Sequence, residues 1–311
     1  NGGAEVSSKP ALFCLQASTG APPDQFSSEG QDWSLPPLDP VELARDNFQH
    51  YIELLRANMA HCGALRIDHV MGMLRLWWCL PDQRGGAYVY YPMQTLLALL
   101  RLESHRNRCL VVGEDMGVVP DEVREAMAGA AIYSNKLFYF ERDAEQQFKQ
   151  PADYASTALL MVTNHDVPTL AGWWNGSELA LRAQVGLLNA QTELPQRLEE
   201  LRCDKHRLLE GLQMLALLPA GWQQQGFDQL QENPFDLDLC GAILRACAGS
   251  RAQLVSFQLE DLQLIEAPVN MPGSFSEYAN WRRKQVRETS AIFNNAAITA
   301  LLQPVYEARD H

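Results

Sequence analysis

Three short apolar runs in this chain, ALRI, CLVVG and ALLMVT, each lead into an acidic group: Asp68 in RIDH, Glu114 in VVGEDMG and Asp166 in TNHD. Such runs read as buried strands, and helical patterns lie between them. Apolar strands alternating with helices predict a mainly parallel sheet covered by helices, an α/β fold. The same reading adds ALFCLQA (11–17), IYSNKLFYF (132–140) and LVSFQ (254–258) as strands, six in all and two short of a closed eight-stranded barrel. In a (β/α) barrel the C-terminal strand ends converge on one face, which carries the active site. Carboxylates delivered there suit glycosidic chemistry, which pairs a nucleophile with a group that protonates the leaving oxygen. Taken singly, each acid has a plainer reading. Asp68 suits a helix cap or turn, Glu114–Asp115 a cap ahead of DEVREAM, and His165–Asp166 a cap before the helix entered at Val167–Pro168.

Between the strands, Phe48, Tyr51, Ile52, Leu55 and Met59 fall on one helical face, with Gly63 as a stop. A second helix begins near Pro92, DEVREAMA is a third, a charged helical stretch covers roughly 178–218, and helices close the chain around 278–308. The Pro/Gly/Ser-rich stretch 19–40 reads as a long loop. The whole reads as one domain, 1–311, with a helical insertion at about 175–250.

The net charge of −13 argues against nucleic acid or an anionic membrane as partner, while neutral hydroxyl-rich substrates are not repelled. The seven cysteines form no CxxC pair and mostly lie in apolar runs, which predicts buried, reduced thiols and a cytoplasmic location. No signal peptide and no uninterrupted apolar stretch of about 18 residues is present. The opening NGGAEVSSKP, without an initial Met, reads as the start of a fragment or processed product. There is no HExxH, metal-type Cys/His spacing, glycine-rich phosphate loop or nucleophile elbow, so no metal and no cofactor are expected.

Five ordered segments carry a resemblance: GAPPDQFSSEGQDWSLPPLDP, GALRIDHVMGMLRLWW, VVGEDMGVVPDEVREAM, TNHDVPTLAGWW, and EAPVNMPGS followed by YANWRRK. Together they resemble the 4-α-glucanotransferases (amylomaltases or disproportionating enzymes) of the broad α-amylase clan. The resemblance implies a (β/α)8 TIM-type barrel with helical insertions, represented here by its C-terminal portion. ALFCLQA is then the third strand, and the first two lie outside this chain. It implies Asp68 as glycosyl nucleophile, Glu114 as acid/base and Asp166 as the third carboxylate. Arg66, two residues before Asp68 on one strand, shares its face and would keep it ionised. His69, His165 and Asn270 are implied sugar-hydroxyl partners, and Asp24, Gln31 and Trp33 are implied to bind glucose units from the loop.

The implied substrates are maltooligosaccharides and α-1,4-glucans, transferred with retention through a covalent glycosyl–enzyme. Two alternatives stay open: a retaining α-glucan hydrolase, and a non-catalytic glucan-binding fragment. A chain lacking two barrel strands is expected to self-associate or to pair with the missing N-terminal segment. The Trp77–Trp78 and Trp173–Trp174 pairs are read as packing residues. Ser34 stands where the family loop commonly has Gly, and Asn164 where a small or hydroxyl residue usually precedes HD.

Overall fold

A computed structural model describes residues 3–23, 30–81 and 85–309. The chain divides into two compact units, residues 1–135 and 136–311.

The first unit holds two kinds of pairing. Strands β1 (Ser18–Ala21), β2 (Gln31–Asp32), β4 (Arg75–Cys79) and β5 (Gly86–Tyr90) form an antiparallel sheet in the order β2-β1-β4-β5. Strand β3 (Ala64–Ile67) pairs in parallel with β6 (Leu110–Gly113), and β6 pairs in parallel with the start of β7 (Tyr133–Leu137). Each parallel strand follows a helix: Gln49–Met59, Met93–Asn107 and Asp121–Gly129. These helices turn Leu55 and Met59, Leu96, Leu97 and Leu100, and Val123 and Met127 into one core with Val111 of β6. Their spacings of three and four residues place each set on one helical face. A guanidinium fork ties two of the helices together: Arg56 Nε and Nη2 donate to the nearly buried Glu103 at 2.8 and 2.9 Å.

In the second unit, β8 (Ala158–Met161) pairs in parallel with β9 (Leu254–Ser256). The segment between them is helical, with Leu170–Trp174, Ser177–Gln184, Glu193–Met214, Phe227–Leu230 and Leu237–Ala248. Leu160 of β8 lies in a core with Leu209, Leu212, Leu239, Ile243 and Trp174. Trp174 is fully buried, and its indole N–H donates to the Asn233 carbonyl at 2.8 Å. That bond is what a buried indole requires. The helix Ala296–Glu307 is capped by Asn295, whose side chain accepts from the N–H groups of Ala297 and Ile298.

One expectation is corrected. ALFCLQA is not a strand: Pro10–Leu12 forms a 3-10 turn, and Phe13 makes only an isolated bridge to Leu38. Pro10 fixes φ and lacks a donor N–H, and Leu15 is 49% exposed, so the run has neither the ladder nor the burial of a core strand. The described residues therefore hold five strands in parallel pairs, β3, β6, β7, β8 and β9, and the count that left two barrel strands missing changes with it. The Trp77–Trp78 pair packs within the antiparallel sheet rather than in either core. They lie half-buried on β4, opposite β5, where the Trp77 ring meets Tyr88 edge-on at 5.1 Å. Trp174 does pack in the core.

Among the described residues no helix is long and apolar enough to cross a membrane. All seven cysteines are free thiols; Cys109, Cys240 and Cys247 are buried, whereas Cys203 is exposed.

Candidate active site

Register decides where the first two acids emerge. Ile67 of β3 pairs with Gly113 of β6, so the next residue on each strand, Asp68 and Glu114, leaves adjacent C-terminal ends. The backbone keeps them together, with Glu114 N–H donating to the Ile67 carbonyl at 2.8 Å and Val70 N–H to the Glu114 carbonyl at 3.0 Å.

The two carboxyls differ sharply in environment. Asp68 is open, with 80% of its side chain exposed, and Arg66 Nη1 donates to its Oδ1 at 2.8 Å. Arg66 is itself oriented by a relay: its Nε donates to Asn135 Oδ1 at 2.7 Å, and Asn135 N–H donates to buried Asp115 at 3.0 Å. Ser134 Oγ donates to the other Asp115 oxygen. Glu114 is buried, with Oε2 accepting from His69 N–H at 2.9 Å and Oε1 from Met116 N–H at 2.7 Å. Burial holds its pKa above the ordinary value, the two N–H bonds pull it back, the Asp68 charge raises it, and Arg66 lowers it. An accessible carboxylate with a fixed cation beside a buried, more basic carboxyl is the asymmetry that separates nucleophile from proton donor.

His69 reaches Glu114 through a left-handed backbone, φ 46°. Burial lowers its imidazole pKa, against the raising effect of Asp68. The Trp33 ring stands edge-on to His69 at 5.1 Å, and Trp33 Nε1 donates to Gln31 Oε1 at 3.0 Å. The structure thus brings Gln31 and Trp33 to the His69 side of the first cluster, whereas Asp24 lies outside the described residues. Ser34 adopts φ 57°, the conformation for which glycine is favoured, and its N–H is held by Asp32 Oδ1 at 2.7 Å.

The second unit holds the other predicted residues. Asp166 Oδ2 lies 3.0 Å from His165 Nε2, and its Oδ1 accepts from Asn270 Nδ2 at 3.2 Å. Asn164 turns the chain here, its Oδ1 accepting from Asp166 N–H at 2.9 Å. Both ends of this loop are anchored on Asp261, which accepts from Thr163 Oγ1 and from Leu170 N–H at 2.8 Å. Asp261 is wholly buried, and burial pushes its pKa up to about 6 despite those bonds.

Sequence reasoning missed Asp115, Asn135 and Asp261. Asp115 had a signal, being the second acid of VVGEDMG, but that signal also fits a helix cap. Asn135 and Asp261 act on partners 69 and 91 residues away, and no local pattern reports that.

Comparison with known proteins places the chain among its relatives. The glycoside hydrolase 77 family, described as 4-alpha-glucanotransferase, matches residues 1–288. The 4-alpha-glucanotransferase of Haemophilus influenzae is 38% identical over 312 residues, covering 99% of this chain and 44% of that protein. That of Mycobacterium tuberculosis is 32% identical over 287 residues, covering 90% of this chain and 38% of its own length. The crystal structure of amylomaltase from Corynebacterium glutamicum superposes with a TM-score of 0.86 at 28% identity, covering 99% of this chain and 44% of that one. The chain thus spans less than half the length of these relatives. With its parallel strands, that likeness makes the fold TIM-type α/β. By sequence and by fold, the chain belongs to the 4-alpha-glucanotransferase family.

Proposed function

We propose that this chain carries the reacting groups of a 4-alpha-glucanotransferase that moves α-1,4-glucan segments between maltooligosaccharides with retention. The observation that carries the reading is the pair on adjacent strand ends: exposed Asp68 held by Arg66, and buried Glu114 with its raised pKa. Asp68 attacks the anomeric carbon while Glu114 gives its proton to the glycosidic oxygen, and the leaving chain departs with a free 4-hydroxyl. The 4-hydroxyl of an acceptor glucan then yields its proton to Glu114 and attacks the same carbon, releasing Asp68. Asp166, His165 and Asn270 present a carboxylate, an imidazole and an amide suited to sugar hydroxyls, and favour the flattened oxocarbenium-like ring. Arg66 orients Asp68 through their ion pair and His69 faces the sugar, with Gln31, Trp33 and Asp24 binding glucose units from the loop. The whole chain acts as one catalytic domain with the 175–250 helices as an insertion. It works in the cytoplasm, and pairs with a further segment or a second copy to complete the barrel.

The test is incubation with maltotriose and resolution of the products. Longer maltooligosaccharides, with glucose as by-product, are expected. Glucose and maltose alone would mean that water, not sugar, wins at the acceptor site. Glucan binding without turnover, unchanged by Asp68→Asn, would leave only a binding fragment.

A further inference from the structure

Trp281 is a large apolar side chain that the protein holds out into solvent. It is 62% exposed, and its backbone sits at φ 59°, where a non-glycine residue is strained. The conformation is firmly held. Trp281 N–H donates to the Val269 carbonyl at 2.9 Å, beside Asn270. The preceding Asn280 is locked by Met271 N–H on its Oδ1 at 2.8 Å, and by its own Nδ2 on the Ser274 carbonyl and Oγ at 3.1 and 3.0 Å. Tyr278 Oη bonds to the Pro268 carbonyl on the same short turn. The backbone that carries the ring is therefore held in place.

Its position is equally specific. The Trp281 ring centroid lies 5.2 Å from that of His165, inclined at 47°, and His165 is the partner of Asp166. Asn270, one residue from the carbonyl that anchors Trp281, bonds to the same Asp166. An imidazole, a carboxylate and an amide thus adjoin an open aromatic ring within one unit. The polar groups suit hydroxyls at a ring's rim, and the indole face suits the apolar C–H face of a pyranose. Exposing such a ring in a strained backbone is unfavourable unless something covers it.

Resting on the proposed glucan transfer, we infer that Trp281 is a sugar-stacking platform. A glucose unit adjoining the one held by Asp166, His165 and Asn270 lies on its indole face. Trp281 is a specificity-determining residue: it positions the chain and takes no part in proton or glycosyl transfer.

The experiment measures initial rates of disproportionation of maltotriose and of maltohexaose by the parent, Trp281→Ala and Trp281→Phe proteins, with thermal unfolding as a control on folding. The exposed ring contributes little burial, so both variants keep the parental unfolding temperature. Trp281→Ala is expected to raise KM for maltohexaose about ten-fold with kcat within about two-fold, since stacking on one aromatic ring carries roughly that factor. Trp281→Phe, which keeps a smaller platform, is expected to fall between. Unchanged KM in an active Trp281→Ala protein would overturn the inference and leave the proposed function standing. A fall in kcat at constant KM would also overturn it, because Trp281 would then only buttress His165. A parent protein without transfer would overturn the proposed function itself, and this inference with it.

Discussion

Asp261 offers a test in which the magnitude follows from the structure. Its carboxyl is wholly buried and anchors both ends of the loop carrying Asp166. Burial raises its pKa from 3.8 to about 6, outweighing the hydrogen bonds from Thr163, Leu170 and Gln258, and the neighbouring Glu260 charge pushes it further up. The folded form therefore binds a proton more tightly than the unfolded form does. The resulting stability is present below the unfolded pKa and is lost as pH climbs through the folded pKa. A shift of this size corresponds to about 3 kcal/mol in full, of which about 2 kcal/mol falls between pH 4.5 and 7.5. Asp261→Asn copies the protonated shape: its carbonyl oxygen can accept from Leu170 N–H and its amide can donate to Thr163 Oγ1. It has no charge to desolvate. Urea unfolding of both proteins at the two pH values isolates the effect, because every other titrating group cancels in the difference. The variant is expected to gain about 2 kcal/mol on the parent between pH 4.5 and 7.5. Asp261→Ala leaves Leu170 N–H and Thr163 Oγ1 without their acceptor, and is expected to lose about 2–5 kcal/mol. A gap between parent and Asn variant that does not change with pH would refute the assignment of a buried, proton-binding carboxyl.

Three further outcomes are expected. Glu114→Gln should cut the transfer rate by about 10²–10⁴-fold without unfolding the protein, measured by maltotriose disproportionation beside thermal unfolding. Arg66 lowers the Glu114 pKa, so in Arg66→Met the residual activity should keep its acid form to higher pH and the basic limb of the kcat/KM profile should move up. Gly172→Ala should destabilise by about 1–3 kcal/mol in urea unfolding. A Cβ there would stand 2.4 Å from the Glu266 carbonyl oxygen, a backbone atom that cannot swing aside.

Much of this arrangement was legible in the sequence, and the parts that were not share a cause. The parallel strands β3, β6 and β8 were readable because ALRI, LVVG and ALLM are compact apolar runs with helical patterns on either side. Their acids were visible for the same reason: Asp68 and Glu114 follow their strands directly, and Asp166 lies five residues past the end of its strand. The β4–β5 hairpin was not anticipated, since RLWWC and GAYVY become strands through partners in β1 and in each other, not through local alternation. ALFCLQA misled in the opposite direction, because an apolar run next to a proline can close a turn as readily as it extends. The groups that orient the acids were hidden most deeply. Asn135 and Asp115 set the angle of Arg66, and Asp261 sets the loop of Asp166, all by contacts that exist only once distant segments meet. Asn164 and Ser34, expected to be departures from the family loop and HD segments, are both locally satisfied: Asn164 Oδ1 caps Asp166 N–H and the Asp32 side chain steadies Ser34.

The central claim is that Asp68 bonds covalently to the sugar while Glu114 moves the proton. Glu114→Gln protein treated with a maltosyl fluoride, whose leaving group needs no proton, should form the glycosyl–enzyme and resolve it slowly. Intact mass followed by peptide mapping reads the result. One maltosyl unit on the peptide carrying Asp68, absent in the Asp68→Asn, Glu114→Gln double variant, is the predicted outcome. An adduct on another residue, or its persistence without Asp68, would contradict the account.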